Sequence, residues 1–118
     1  MSAVQQVSQA TFSREVLQAN VPVLVDFYAD WCGPCRRLGP TLDRLAVEFA
    51  GRAKIVKVNV DAEQGLANQF QVESIPTLAI VSGGKLLGKT AGLVPEAQLR
   101  QALHQCLNAG PGAARQVG

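Results

Sequence analysis

The sequence predicts an α/β fold, a central mixed five-stranded sheet flanked by four helices, and three observations carry that prediction. Strand-like and helix-like patterns follow one another in the order β-α-β-α-β-α-β-β-α, the mark of a sheet covered by helices on both faces. The run from Val23 to Ala29 is too apolar to alternate, as expected of a strand buried on both sides. Gly83-Gly84 separates two apolar stretches near the end and marks a hairpin, so the sheet gains an antiparallel edge.

The elements follow in order. Val4 to Val7 is a short edge strand or a lead-in. Thr11 is the expected N-cap of a helix reaching about Ala19, with Phe12 and Val16 on one face at helical spacing. A second helix begins at Cys32; Leu38, Leu42, Leu45 and Phe49 recur at intervals of 4, 3 and 4 and form its inner stripe. Pro40 lies inside that pattern and removes one ladder hydrogen bond, which predicts a kink. Gly51 is the expected stop. Ile55 to Val60 is the third strand. Asp61 with Gln64 three residues later reads as a capping box for a helix carrying Leu66 and Phe70. Pro76 to Val81 and Leu86 to Ala91 are the hairpin strands. Pro95 suits the first position of a last helix, with Leu99, Leu103 and Cys106 on its inner face. The chain therefore divides into one domain over residues 1–108 and a disordered Gly-, Pro- and Ala-rich tail over 109–118.

Length and composition limit the function. A chain of 118 residues holds one domain with one hydrophobic core. Hydrophobic residues at 47% and charged residues at 17% are an ordinary globular balance. The net charge of +2 is spread over interleaved signs, so there is no basic stripe for nucleic acid and no polybasic membrane patch. No apolar run approaches the roughly 18–20 residues of a membrane span. The N-terminal residues show neither a charged nor an apolar leader region, and three cysteines do not make a disulfide framework. The expectation is a cytoplasmic, monomeric protein.

The chemistry centres on Trp31-Cys32-Gly33-Pro34-Cys35. Two cysteines three apart at a helix start place their Cα atoms roughly 5 Å apart, inside the disulfide range of about 4.4–6.8 Å. The loop so closed is too small to stabilise the fold much by constraining the unfolded chain, so the pair reads as a switch. At the helix N-terminus, free N–H groups and the macrodipole favour a thiolate at Cys32, and the thiolate is the attacking form. Cys35, one turn further in, is expected to be shielded. Cys32 is thus the nucleophile and Cys35 the thiol that resolves a mixed disulfide. Asp26, an acid within a buried strand, must be paired, hydrogen-bonded or neutral; burial raises its pKa and makes it a plausible proton acceptor.

The segment Asp26-Phe27-Tyr28-Ala29-Asp30-Trp31-Cys32-Gly33-Pro34-Cys35, with the later Ser74-Ile75-Pro76-Thr77, resembles the thioredoxin family. The likeness runs from about Ala10 to Asn108. It implies a dithiol protein that reduces disulfides in other proteins as an electron donor and maintains cellular redox balance, with no bound cofactor and no metal. Thioredoxin reductase would restore it; ribonucleotide reductase, peroxiredoxin and methionine sulfoxide reductase are implied clients. The likeness puts Asp26 beneath the second thiol, where it would take the Cys35 proton through water, and puts Lys57 close to Asp26. Gly33 and Pro34 match the reducing branch of the family. Ile75–Pro76 would be a cis peptide bond facing the cysteines, leaving the preceding backbone free to pair with an extended client. Trp31, Gly33, Val60, Ile75, Gly92 and Leu93 would form an apolar patch around the thiols, and Pro76 would both tune and line it. Tyr28 departs from the family, which often has tryptophan there, and Ser74 stands where many members have glycine.

Competing readings are a thioredoxin-fold oxidant or isomerase, a binding module using the patch as a subunit contact, and a metal site. The last is weak because zinc takes four ligands and only one pair of closely spaced cysteines is present. Cys106 is expected to face the core, and His104, the only histidine, to lie on the surface.

Overall fold

The computed structural model describes residues 3–109. Its strands are β1 (Gln5–Gln6), β2 (Val23–Tyr28), β3 (Lys54–Asn59), β4 (Thr77–Ser82) and β5 (Lys85–Ala91). The helices are α1 (Gln9–Phe12, continued by a wider π-helical stretch, Ser13–Leu17), α2 (Gly33–Glu48), α3 (Gln64–Gln69) and α4 (Glu96–Ala109). Of the tail expected over 109–118, Ala109 closes α4 and the remainder lies outside the described residues. Among the described residues no helix is long and apolar enough to cross a membrane.

The five strands form one mixed sheet in the order β1-β3-β2-β4-β5. β1 and β2 run parallel to β3, while β4 is antiparallel to both β2 and β5. Central β2 is buried from Val23 to Phe27, as its unbroken apolar character requires. One core layer packs Leu38, Leu42 and Leu45 of α2 and the adjoining Phe49, with Leu99 and Leu103 of α4, against Leu24, Ile55 and Leu78 of the sheet. The other packs Phe12, Val16, Leu66 and Phe70 against Val25, Phe27, Val56 and Val58. Adjacent β2 residues point to opposite faces, so Leu24 and Val25 fall in different layers.

The expected stripe of α2 is buried throughout, and the helix runs on through Pro40. Phe49 closes it, and Gly51 follows with φ +83°, a left-handed turn suited to glycine. Several boundaries differ from the sequence reading. α1 starts earlier: Ser8 precedes it, and Thr11 is its third residue, where its Oγ1 accepts from the Ser8 N–H at 3.0 Å. Glu63, not Asp61, precedes α3. Asn59 Oδ1 takes the N–H groups of Asp61 and Ala62 at 2.9 and 3.3 Å, so the chain turns there before any helix begins. Pro95 sits just before α4 rather than in it, its carbonyl accepting from Gln98 and Leu99. His104 is not simply at the surface. It is half-buried, with its ring 5.0 Å from that of Phe49. Cys106 is half-buried rather than fully turned to the core, and its thiol pKa is raised by that burial.

Candidate functional site

The site forms where β2 ends. The chain leaves Tyr28, turns, and enters α2 with Cys32 as its N-cap. The Cys32 carbonyl accepts the first helical bond, from Arg36 N–H at 3.2 Å. Cys32 Sγ accepts from the Cys35 N–H at 3.2 Å, so one otherwise orphaned N–H of the helix start is aimed at sulfur. Pro34 stands in the first turn, where a missing N–H forfeits nothing. Cys32 and Cys35 form a disulfide with Cα atoms 5.3 Å apart. Both residues are buried, at 3% and 6% exposure. Overall burial therefore does not set the second thiol apart as expected; the helix N–H at Cys32 Sγ is what distinguishes the pair.

Asp26 lies in the middle of β2, 4% exposed, and among the described residues its Oδ1 has no hydrogen-bond partner. Burial pushes its pKa from 3.8 to about 7, with the Lys57 ammonium pulling the other way. Lys57 is its register neighbour on parallel β3, half-buried, with Nζ 5.4 Å from the centre of the Tyr28 ring. A pocket of about 300 Å³ is lined by Asp26, Cys35, Lys57, Tyr28, Asp30 and neighbours. It is roomy enough for several waters, and it gives the carboxyl and the second cysteine a common space. The Tyr28 hydroxyl pKa is raised, chiefly by burial.

The other half of the site comes from the start of β4. Because β4 is antiparallel to β2, with Phe27 opposite Thr77, the residues before β4 return to the end of the sheet where β2 delivers the cysteines. Ile75–Pro76 is cis. Ile75 and Val60 pack against the cluster of Ala29, Cys32 and Cys35. Pro76 is buried, and its carbonyl accepts from the Gly92 N–H at 2.8 Å. Gly92 has φ +92°, a conformation that favours glycine. Gly33 is half-buried on the first turn of α2. Trp31 and Leu93 are exposed, at 68% and 51%.

Asp61 has a role at the site that its offset from Gln64 does not reveal. Asp61 carries no cap; its Oδ2 accepts from Trp31 Nε1 at 2.9 Å, fixing an exposed indole beside the disulfide. A signal existed, since an exposed tryptophan N–H needs an acceptor and Asp61 follows a strand parallel to β2 at the same end of the sheet.

This arrangement is a disulfide at a helix N-terminus with Val60 and Ile75 packed against it. In comparisons with known proteins, the family model described as Thioredoxin matches residues 3–105. The chain is 48% identical over 107 residues to Thioredoxin 1 of a Nostoc species, covering 91% of this chain and 100% of that protein. It is 45% identical over 105 residues to thioredoxin of Haemophilus influenzae, covering 89% and 98%. A chloroplastic M-type thioredoxin of Chlamydomonas reinhardtii is 42% identical over 102 residues, covering 86% and 73%.

Proposed function

The chain belongs to the thioredoxin family, and from that premise we propose how its dithiol divides the work: Cys32 attacks, Cys35 resolves, and Asp26 takes the Cys35 proton. The activity itself is disulfide reduction by thiol–disulfide exchange through the Cys32–Cys35 pair. A thioredoxin reductase supplies the electrons, and disulfide-containing proteins receive them.

The Cys32 thiolate attacks one sulfur of a client disulfide; a mixed disulfide forms and the first client thiolate leaves. Cys35 loses its proton and attacks Cys32 Sγ. The Cys32–Cys35 bond forms and the second client thiolate leaves, so the client gains two electrons and the dithiol loses two. The N–H at Cys32 Sγ supports the role of Cys32, since it favours a thiolate there. The pocket shared by Asp26 and Cys35, and a carboxyl whose pKa is raised to about 7, support Asp26 as base near neutrality. Lys57 tunes that carboxyl. Gly33 and Pro34 shape the turn between the thiols. Trp31, Val60, Ile75, Pro76, Gly92 and Leu93 receive the client, whose extended backbone pairs beside Ile75. Clients of this kind include ribonucleotide reductase, peroxiredoxin and methionine sulfoxide reductase. The protein acts as a monomer in the cytoplasm, with the whole site inside one domain over residues 1–108.

The observation carrying this reading is a bridged cysteine pair whose Cα atoms lie 5.3 Å apart across the first turn of α2. Its test is the reduction potential of the pair, equilibrated against a thiol buffer and followed by Trp31 fluorescence. A reductant requires a potential below the glutaredoxin range of about −200 to −230 mV. A potential near that of strong oxidants, about −120 mV, would reassign the protein to disulfide formation.

A further inference from the structure

Helix ends leave carbonyls without intrahelical partners. At the end of α3 the Phe70 N–H still reaches Leu66 O at 3.0 Å, and Gln71 follows in a left-handed conformation, φ +54°. The Phe70 and Gln71 carbonyls are both taken by Lys89 Nζ, at 2.9 and 3.1 Å. Lys89 belongs to β5 and lies opposite Ala79 of β4. A cation from the edge strand thus closes the negative end of a short helix.

The Phe70 ring is fixed from the other side, 5.4 Å from Phe12 and 5.3 Å from Phe27, centre to centre. At the far end of the same connection, Thr77 Oγ1 donates to Ser74 O at 2.6 Å. The segment between, with Glu73 and Ser74 exposed, is held at its start by Lys89 and by the Val72 N–H, which donates to Ala67 O at 2.9 Å, and at its end by Thr77; it leads into the cis Ile75–Pro76 bond. Lys89 also lines an open polar pocket of about 250 Å³ with Gln71, Glu73, Ser74 and Thr77.

The geometry points to Lys89 as a positioning residue for client recognition: by holding the Phe70 and Gln71 carbonyls, it sets the Ile75 backbone where an extended client segment pairs with it. This rests on the reading that clients pair there. A lysine on an edge strand ordinarily serves to discourage strand pairing. That purpose is met with the ammonium in water, whereas here it is spent on two carbonyls of a connection 18 and 19 residues away. The Lys89 ammonium contacts the Phe70 and Gln71 carbonyls of the connection rather than a cysteine, so its influence falls on binding rather than exchange.

The test uses Lys89→Met, which keeps an apolar stem without donors, and Lys89→Arg, which restores them. Pre-reduced protein is mixed in stopped flow with three probes. They are a flexible disulfide-linked peptide dimer, the same dimer N-methylated beside its cysteines so that it lacks the pairing N–H, and neutral 2-hydroxyethyl disulfide. For Lys89→Met the half-saturating concentration of the plain dimer should rise about fivefold, the scale of one ordinary net hydrogen bond. The limiting rate, the small-disulfide rate and the reduction potential should hold, and Lys89→Arg should recover most of the loss. An unchanged half-saturation, even with a lowered Tm, overturns the assignment and leaves Lys89 a stabilising residue. A parallel fall with the small disulfide also overturns it, by moving the effect to the thiols. If the wild-type protein does not distinguish plain from methylated dimer, the pairing reading fails and the Lys89 assignment with it. If it does distinguish them and Lys89→Met binds the plain dimer as before, the assignment to Lys89 alone fails.

Discussion

Asp26→Asn replaces a buried carboxyl with a neutral group of nearly the same shape, and its effect on stability follows from the raised pKa. In the unfolded chain the acid titrates near its ordinary value of 3.8; in the fold it titrates near 7. Below about pH 4 both states hold the proton. Between about pH 4 and 7 the folded state keeps a proton that the unfolded state has lost, so stability falls as pH rises through that window. Above about pH 7 both states are ionised and the penalty is complete. At 1.36 kcal/mol per pKa unit, a rise from 3.8 to about 7 corresponds to about 4 kcal/mol. Asparagine does not titrate. The stability gained by Asp26→Asn over wild type should therefore grow by about 4 kcal/mol between pH 3.5 and pH 8 and level off beyond. Urea unfolding of the oxidised protein at several pH values measures this, with both thiols excluded from the titration by their disulfide. Any fixed difference from the new amide is common to all pH values, so the slope is the test. A stability difference that is flat from pH 3.5 to 8, or that shrinks as pH rises, would refute the argument that burial dominates this carboxyl.

Two further outcomes are expected. Cys35→Ser should stop the cycle after the first exchange, leaving Cys32 covalently joined to the client; mass spectrometry of the non-reduced product should show the adduct, and wild-type turnover by this variant would disprove the resolving role. Gly51→Ala should lower the urea midpoint by an amount equivalent to about 1 kcal/mol or more, because Gly51 sits at φ +83° with no neighbouring atom within 4 Å of an added methyl. The loss there is backbone strain alone, and an unchanged midpoint would contradict it.

The parts of this molecule legible in the sequence were those written in local periodicity or local chemistry. Leu38, Leu42, Leu45 and Phe49 announce the buried face of α2 through their spacing, and the same spacing sets Cys32 and Cys35 within bridging distance. Asp26 stood out because a charge within an apolar run conflicts with its surroundings. What escaped were competitions between groups distant in sequence or nearly equivalent locally. Asp61 looked like a cap by its offset from Gln64, but Asn59 turns the backbone first and Trp31, thirty residues earlier, takes the carboxylate. Ser8 and Thr11 are both competent to start α1; the Ser8 N–H bond to Thr11 Oγ1 decides for the earlier. His104 reads as polar in an amphipathic helix, and nothing near it in sequence reveals the Phe49 ring against which it packs. The contacts of Lys89 are of the same kind, since they depend on the register of β5 against β4 and on where α3 ends.

The two halves of the site are fastened to adjacent central strands, five residues of β2 paired one to one with β4, and the cysteines themselves are nearly closed to solvent. A disulfide on a rigid, convex surface cannot be lowered onto such a seat. The conformational work of the encounter therefore falls on the client, which must lend a slack stretch of its own chain. Under the proposed mode of client binding, selectivity has a kinetic origin. Bonds in frayed or locally unfolded regions are exposed to this protein, while bonds locked inside finished domains are spared without any recognition of their sequence.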